Sequence, residues 1–198
     1  MRTLRTFFLG IVLLCIVLAI FPFDRVQAYG DIAQAKKVTT KEPTLTATPT
    51  PKPKVEYTLP YPGLLVDHPL YFLKNFRDSL LEILITDPLK KGEFYILQAD
   101  KQLNMGVFLL VAGKSQLAAD MITKSDTVLA KAVTHLAQVK GGGVSIPGYL
   151  LDRIERSSAK HLEVLEELRI NASEEMKAVV PMAIEATSKR QPDVQSLK

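Results

Sequence analysis

Hydrophobic positions fall into three regimes along this chain. From Phe7 to Phe23 the residues are apolar on every side, and from Tyr29 to Thr58 large apolar groups are sparse among Thr, Pro and Lys. From Leu59 onward they recur every three or four positions, the interval of helices that bury one stripe. The first such stripe is Leu70, Leu73, Phe76 or Arg77, Leu80 and Leu84, with Asp67 as its cap and Pro69 in the first turn. It is predicted to stop near Thr86, because Asp87 precedes Pro88 and a residue before proline avoids the α region.

A second helix starts at Pro88 and turns Tyr95, Ile96, Ala99, Leu103, Val107 and Leu110 to one face. It becomes apolar all round over Met105–Ala112, which marks a central helix of a bundle. Gly92 and Gly106 each cost about 1 kcal/mol against Ala in a helix interior, so close approach of a neighbour is expected at both. Gly113 closes this helix. A third begins near Ser115, buries Leu117, Met121, Val128, Ala132 and Leu136, leaves Lys124 and Lys131 to solvent, and ends at Lys140 before Gly141, Gly142 and Gly143. The triple glycine lacks the preceding strand and the following Gly-Lys-Ser/Thr of a phosphate loop, and reads as an interhelical turn.

Ser145-Ile146-Pro147 opens a fourth helix with Leu150, Ile154, Leu162, Leu165 and Leu168 inward, broken at Asn171-Ala172-Ser173. Ser173 is placed to cap a last helix carrying Val179, Val180, Met182 and Ile184, with a kink or break expected at Pro181. The pattern therefore predicts an all-α fold, an antiparallel helical bundle of about five helices over residues 59–188, followed by a polar, frayed tail at 189–198.

The two preceding regimes bear on location. Arg2 and Arg5, the apolar run 7–23 and the exit Val26-Gln27-Ala28 make residues 1–28 a secretory signal peptide or, if uncut, an N-terminal membrane anchor. Either way the bias of basic residues toward the cytoplasm places everything after Ala28 outside, so the expected location is extracytoplasmic, secreted or anchored to the cytoplasmic membrane. Leu14 stands where a small residue would precede a lipidated Cys15, which weakens a lipid-anchor reading. Residues 29–58 read as a disordered Thr/Pro/Lys-rich linker, spanning about 30 Å as a coil and roughly 90 Å when extended.

Charge then removes one class of partner. The chain has 25 Lys and Arg against 21 Asp and Glu; eight of the basic and four of the acidic residues precede Asp67, leaving 17 of each in the helical region. A neutral domain with mixed signs has no footprint for nucleic acid. Cys15 is the only cysteine, so no disulfide or thiolate metal site can hold the domain.

Signatures of catalysis are sparse. His68, His135 and His161 are widely spaced and form no His-Glu-x-x-His set, and no Gly-x-Ser-x-Gly elbow is present. Asp100, beside Lys101 in a buried helix, is the polar oddity and suggests a buried ion pair with another helix. No cofactor or catalytic site is assigned. The alternatives are a ligand- or metal-binding protein using His68, His135 or His161, and a hydrolase in which Asp100, Glu93 or a histidine converge in a cleft.

Four segments also resemble a known family: Leu59-Pro-Tyr-Pro-Gly63, Asp67-His-Pro-Leu-Tyr-Phe-Leu-Lys74, Asp87-Pro-Leu-Lys-Lys-Gly-Glu-Phe94 and Gln98-Ala-Asp-Lys-Gln-Leu-Asn-Met105. Together they are similar to an exported helical family of bacteria and archaea known as domain of unknown function 5667. The resemblance implies an all-helical extracytoplasmic domain and no catalytic assignment. The sequence thus leads to a non-catalytic binding or structural module of the cell envelope, a monomer or weak oligomer, whose partner is a protein, glycan or other envelope component.

Overall fold

The computed structural model describes residues 54–198 apart from Asn171. The predicted signal or anchor and nearly all of the predicted linker lie outside them. The described residues form five α-helices and no strand: α1 (Tyr71–Leu84), α2 (Pro88–Val111), α3 (Ser115–Gly141), α4 (Gly148–Ile170) and α5 (Glu174–Ser196).

Most boundaries follow local chemistry. The Asp87 side chain accepts hydrogen bonds from the Leu89 and Lys90 amides at 2.8 and 3.1 Å, capping α2, with Pro88 in its first turn. Gly113 (φ +74°) and Gly143 (φ +83°) take the left-handed conformation that ends α2 and α3. The start of α1 differs from expectation. Asp67 forms an ion pair with Lys114 instead of capping α1, the His68 ring Nδ1 accepts from the Leu70 amide at 3.1 Å, and no side chain caps the helix. Ser173 does precede α5, but its hydroxyl donates to Glu175 at 2.8 Å and accepts from no amide of the helix.

Helices α2, α3, α5 and α4 form the four sides of the bundle, in that order. The α2–α3 hairpin is the most extensive pair, α5 lies against both α3 and α4, and α2 touches α4 only sparsely. Gly92 and Gly106 are where α2 meets α3 most closely. A Cβ on Gly92 would stand 2.6 Å from Leu136 Cδ2, and one on Gly106 would stand 2.9 Å from Ile122 Cγ1 and 3.2 Å from the Ala118 carbonyl oxygen.

Two expectations for the C-terminal part change. Helix α5 runs unbroken past Pro181 and Pro192, and residues 189–196 are its last turns, with Leu197 as the C-cap, rather than a frayed tail. Burial explains both. Met176, Val180, Ala183 and Thr187 anchor the helix on either side of Pro181, while Val194 and Leu197 pack with Ile96, Leu150 and Ile154 in the core. This tertiary contact offsets the cost of an interior proline, about 3 kcal/mol. Met182, one of the apolar groups predicted for this helix, is exposed.

The apolar interior consists of two clusters. One joins Tyr95, Ile96, Ala99, Leu129, Leu136, Leu150, Ile154 and Val194; the other joins Leu103, Leu109, Ala118, Ile122, Leu165, Met176 and Val180. Along α2 the boundary between them falls at Asp100.

Candidate functional site

At that boundary each helix of the bundle places a polar residue where its apolar stripe would continue. On α4 the inward sequence is Ile154, Ser157, His161, Leu165; on α3 it is Ile122, Ser125, Leu129; on α5 it is Val180, Ala183, Thr187. Asp100 is the centre of this layer and is 0% exposed. Its Oδ1 accepts from Ser157 Oγ at 2.6 Å and from His161 Nε2 at 3.1 Å, and its Oδ2 accepts from the Tyr57 hydroxyl at 2.5 Å. Elsewhere in the layer Ser125 donates to the Ala99 carbonyl at 3.0 Å, and Asp126 accepts from Thr187 at 3.0 Å and pairs with Arg190.

Tyr57 comes from the end of the predicted linker, so the ordered domain begins earlier than residue 59. Residues 54–66 form a strap over the sparsely packed seam between α2 and α4. The Val55 amide donates to Glu163 of α4 at 2.5 Å, Asn104 of α2 donates to the Pro60 carbonyl at 3.0 Å, and Leu59, Leu65 and Val66 pack on the second apolar cluster. Burial, reinforced by the negative Asp100, pushes the Tyr57 hydroxyl far above its ordinary range, which keeps it a donor. Burial works against ionisation of Glu163, but Lys160 and the Val55 amide outweigh it and hold that carboxyl low.

A serine, a histidine and an aspartate meet here, but not as a hydrolytic triad. In a triad the serine bonds the histidine, which in turn bonds the carboxylate. Here Ser157 and His161 both donate to the carboxylate, and all three side chains are buried away from any substrate in solvent. The expected buried pair of Asp100 is with His161 rather than with a lysine or arginine. Glu93 is elsewhere, accepting from the Tyr149 hydroxyl. The three histidines do not converge. His68 is exposed before α1, His135 donates from Nε2 to the Pro88 carbonyl at 2.8 Å and lies edge-on to Tyr95, and His161 is in the layer. Among the described residues no group of three His, Cys, Asp or Glu side chains could hold a metal ion.

The second unusual feature is α1, which faces the other way from its predicted stripe. Tyr71, Lys74, Asp78 and Glu82 turn toward the body, and no residue of α1 is buried. Glu82 accepts from the Tyr95 hydroxyl at 3.1 Å and pairs with Lys131, whose ammonium lies 4.5 Å from the Tyr95 ring centroid; Lys74 donates to the Pro62 and Leu64 carbonyls at 2.7 and 3.2 Å. The Lys131 hydrogen bond holds Glu82 below its ordinary pKa, and Glu82 in turn raises that of Lys131. Under α1 lies a cavity of about 290 Å³ lined by Lys74, Asp78, Glu82, Lys101, Lys124 and Lys131. Outward face Phe72, Leu73, Phe76, Leu80, Ile83 and Leu84, with Phe76 67% and Ile83 76% exposed.

These features define a class: an all-helical domain keyed by a buried polar layer and carrying one helix with its apolar side outward. The family model described as Domain of unknown function (DUF5667) matches residues 63–175, from Gly63 through α4 to the start of α5. The chain belongs to that family. No curated protein and no solved structure matches it. Among the described residues no helix is long and apolar enough to cross a membrane.

Proposed function

We propose that this protein is a non-catalytic contact module of the cell envelope, carried outside the cytoplasmic membrane by residues 1–28 and binding its partner through the outward face of α1. The observation that carries the reading is that face. Its six side chains present roughly 700 Å² of apolar surface, above the ~300–600 Å² of the largest patch on an ordinary monomer. The polar layer supports it from the other side, since the residues most able to do acid, base or nucleophilic chemistry are spent on holding helices and strap together. Export is supported by the basic start, the apolar run and the Val26-Gln27-Ala28 exit.

Single cysteines test both halves in the full chain with Cys15→Ser. A membrane-impermeant maleimide applied to intact cells should label Glu167→Cys, an exposed position of α4, and label Phe76→Cys much more slowly. Labelling of Glu167→Cys only after lysis would refute the extracytoplasmic location. Equal labelling of the two positions would refute the contact surface.

A further inference from the structure

We infer that the outward face of α1 is the interface of a homodimer, in which the α1 helices of two copies pack antiparallel about a two-fold axis at the level of Asp78. This rests on the contact-module reading and names its partner as a second copy of the chain. The exposed apolar residues are placed symmetrically along the helix. Phe72 and Leu84, Leu73 and Ile83, and Phe76 and Leu80 lie at equal distances on either side of position 78. A two-fold axis there brings the members of each pair from the two copies to the same level, with Leu73 against Ile83 and Phe76 against Leu80 along the middle of the face. Self-complementarity of this kind is what a two-fold interface requires, since one patch must serve as both surfaces.

Along the middle of the face Phe76 then meets Leu80 and Leu73 meets Ile83, while Phe72 and Leu84 flank them on opposite edges. A parallel pairing would instead stack Phe76 on Phe76 and align the helix dipoles, whereas the antiparallel one sets each positive N-terminal end beside a negative C-terminal end. The size also fits. With Leu64, Leu70 and Leu81 at its edge the face offers about 900 Å², enough to supply the ~800 Å² that each partner contributes to a standard stable interface. Charge favours a protein over lipid headgroups. Lys74 and Arg77 on α1 are matched by Asp78 and Glu82, so the helix lacks the basic excess by which interfacial helices bind anionic membranes.

The test is cysteine cross-linking in the full chain with Cys15→Ser, using a short bis-maleimide in cells that express two tagged copies. Co-expressed Leu73→Cys and Ile83→Cys chains should give a mixed dimer band, as should Phe76→Cys with Leu80→Cys. Leu73→Cys or Ile83→Cys alone should give little. Adding the charge of Leu73→Glu to both copies should abolish the Phe76–Leu80 band, with circular dichroism of the variant unchanged because Leu73 supports no core. A strong band from Leu73→Cys alone would overturn the antiparallel arrangement, and no band from any combination would overturn the dimer. In the second case, slow maleimide labelling of Phe76→Cys would leave the contact module standing with a different partner. Fast labelling would remove both.

Discussion

Replacing Asp100 by Ala measures what the polar layer contributes. The carboxylate accepts from Ser157, His161 and Tyr57, and the first two are buried. Truncation leaves the Ser157 hydroxyl and the His161 ring N–H without an acceptor and away from water, at about 1–3 kcal/mol each. The half-buried Tyr57 can turn toward solvent and adds less. The sum, roughly 3–5 kcal/mol, is a large share of the ~5–15 kcal/mol that holds a typical domain. Asp100→Asn keeps an oxygen for Ser157 and His161 and loses mainly the Tyr57 bond, so it should cost about 1–2 kcal/mol. Urea denaturation followed by circular dichroism reads both, and an unchanged slope would show that the unfolded state is not the cause. Tyr57→Phe separates the strap from the bundle. Amide exchange should rise over residues 54–66 while α3 stays protected. The reasoning fails if Asp100→Ala lies within about 0.5 kcal/mol of the native chain, the range of a neutral surface change.

Two further outcomes follow from the packing and from α1. Gly106→Ala should destabilise by about 1–3 kcal/mol, because its Cβ would press on Ile122 Cγ1 and on the fixed Ala118 carbonyl, outweighing the helix-propensity gain. Gly92→Ala meets chiefly the free end of the Leu136 side chain and should cost less; the opposite order in thermal melts would contradict this account. Acid should loosen α1 before the bundle. Since Glu82 is held below its ordinary 4.5, its contribution is full above that pH and is lost as pH falls through its own lowered value. Asp67, held below 3.8 chiefly by Lys114, behaves the same way. Hydrogen exchange of 71–84 should therefore quicken, relative to α2 at the same pH, as pH falls from about 6 to 3, and a constant ratio would argue against these anchors.

The sequence was most legible where backbone chemistry acts locally. Asp87-Pro88, Gly113 and the glycines at 141–143 each mark an observed helix end, because capping and left-handed φ involve only a few neighbouring residues. Apolar spacing found the stripes of α2, α3 and α4 as well. It failed at α1 because periodicity shows that a face is apolar without showing what covers it. It failed at 189–198 because Lys189, Arg190 and Gln191 outweigh Val194 and Leu197 in composition, although Arg190 reaches Asp126 and both apolar residues reach the core. Of the polar layer Asp100 stood out, and His161 only as one of three scattered histidines. The signal for the rest was present as a gap in the α4 stripe, where Ser157 and His161 stand between Ile154 and Leu165, but which helix answers Asp100 is set by tertiary geometry. Tyr57 left no trace, since nothing in a Thr/Pro-rich stretch distinguishes a tyrosine that docks from one that does not.

The carboxylate at the middle of the bundle also acts as an indexing mark. Sliding α4 along α2 by one turn, about 5.4 Å, would replace either Ser157 or His161 at Asp100 with Ile154 or Leu165. Aliphatic contacts alone would tolerate such a slip, since one greasy layer resembles the next. With Asp100 to be matched, only one alignment of these rods keeps both Ser157 and His161 on the carboxylate, and Tyr57 from outside the bundle takes the oxygen they leave.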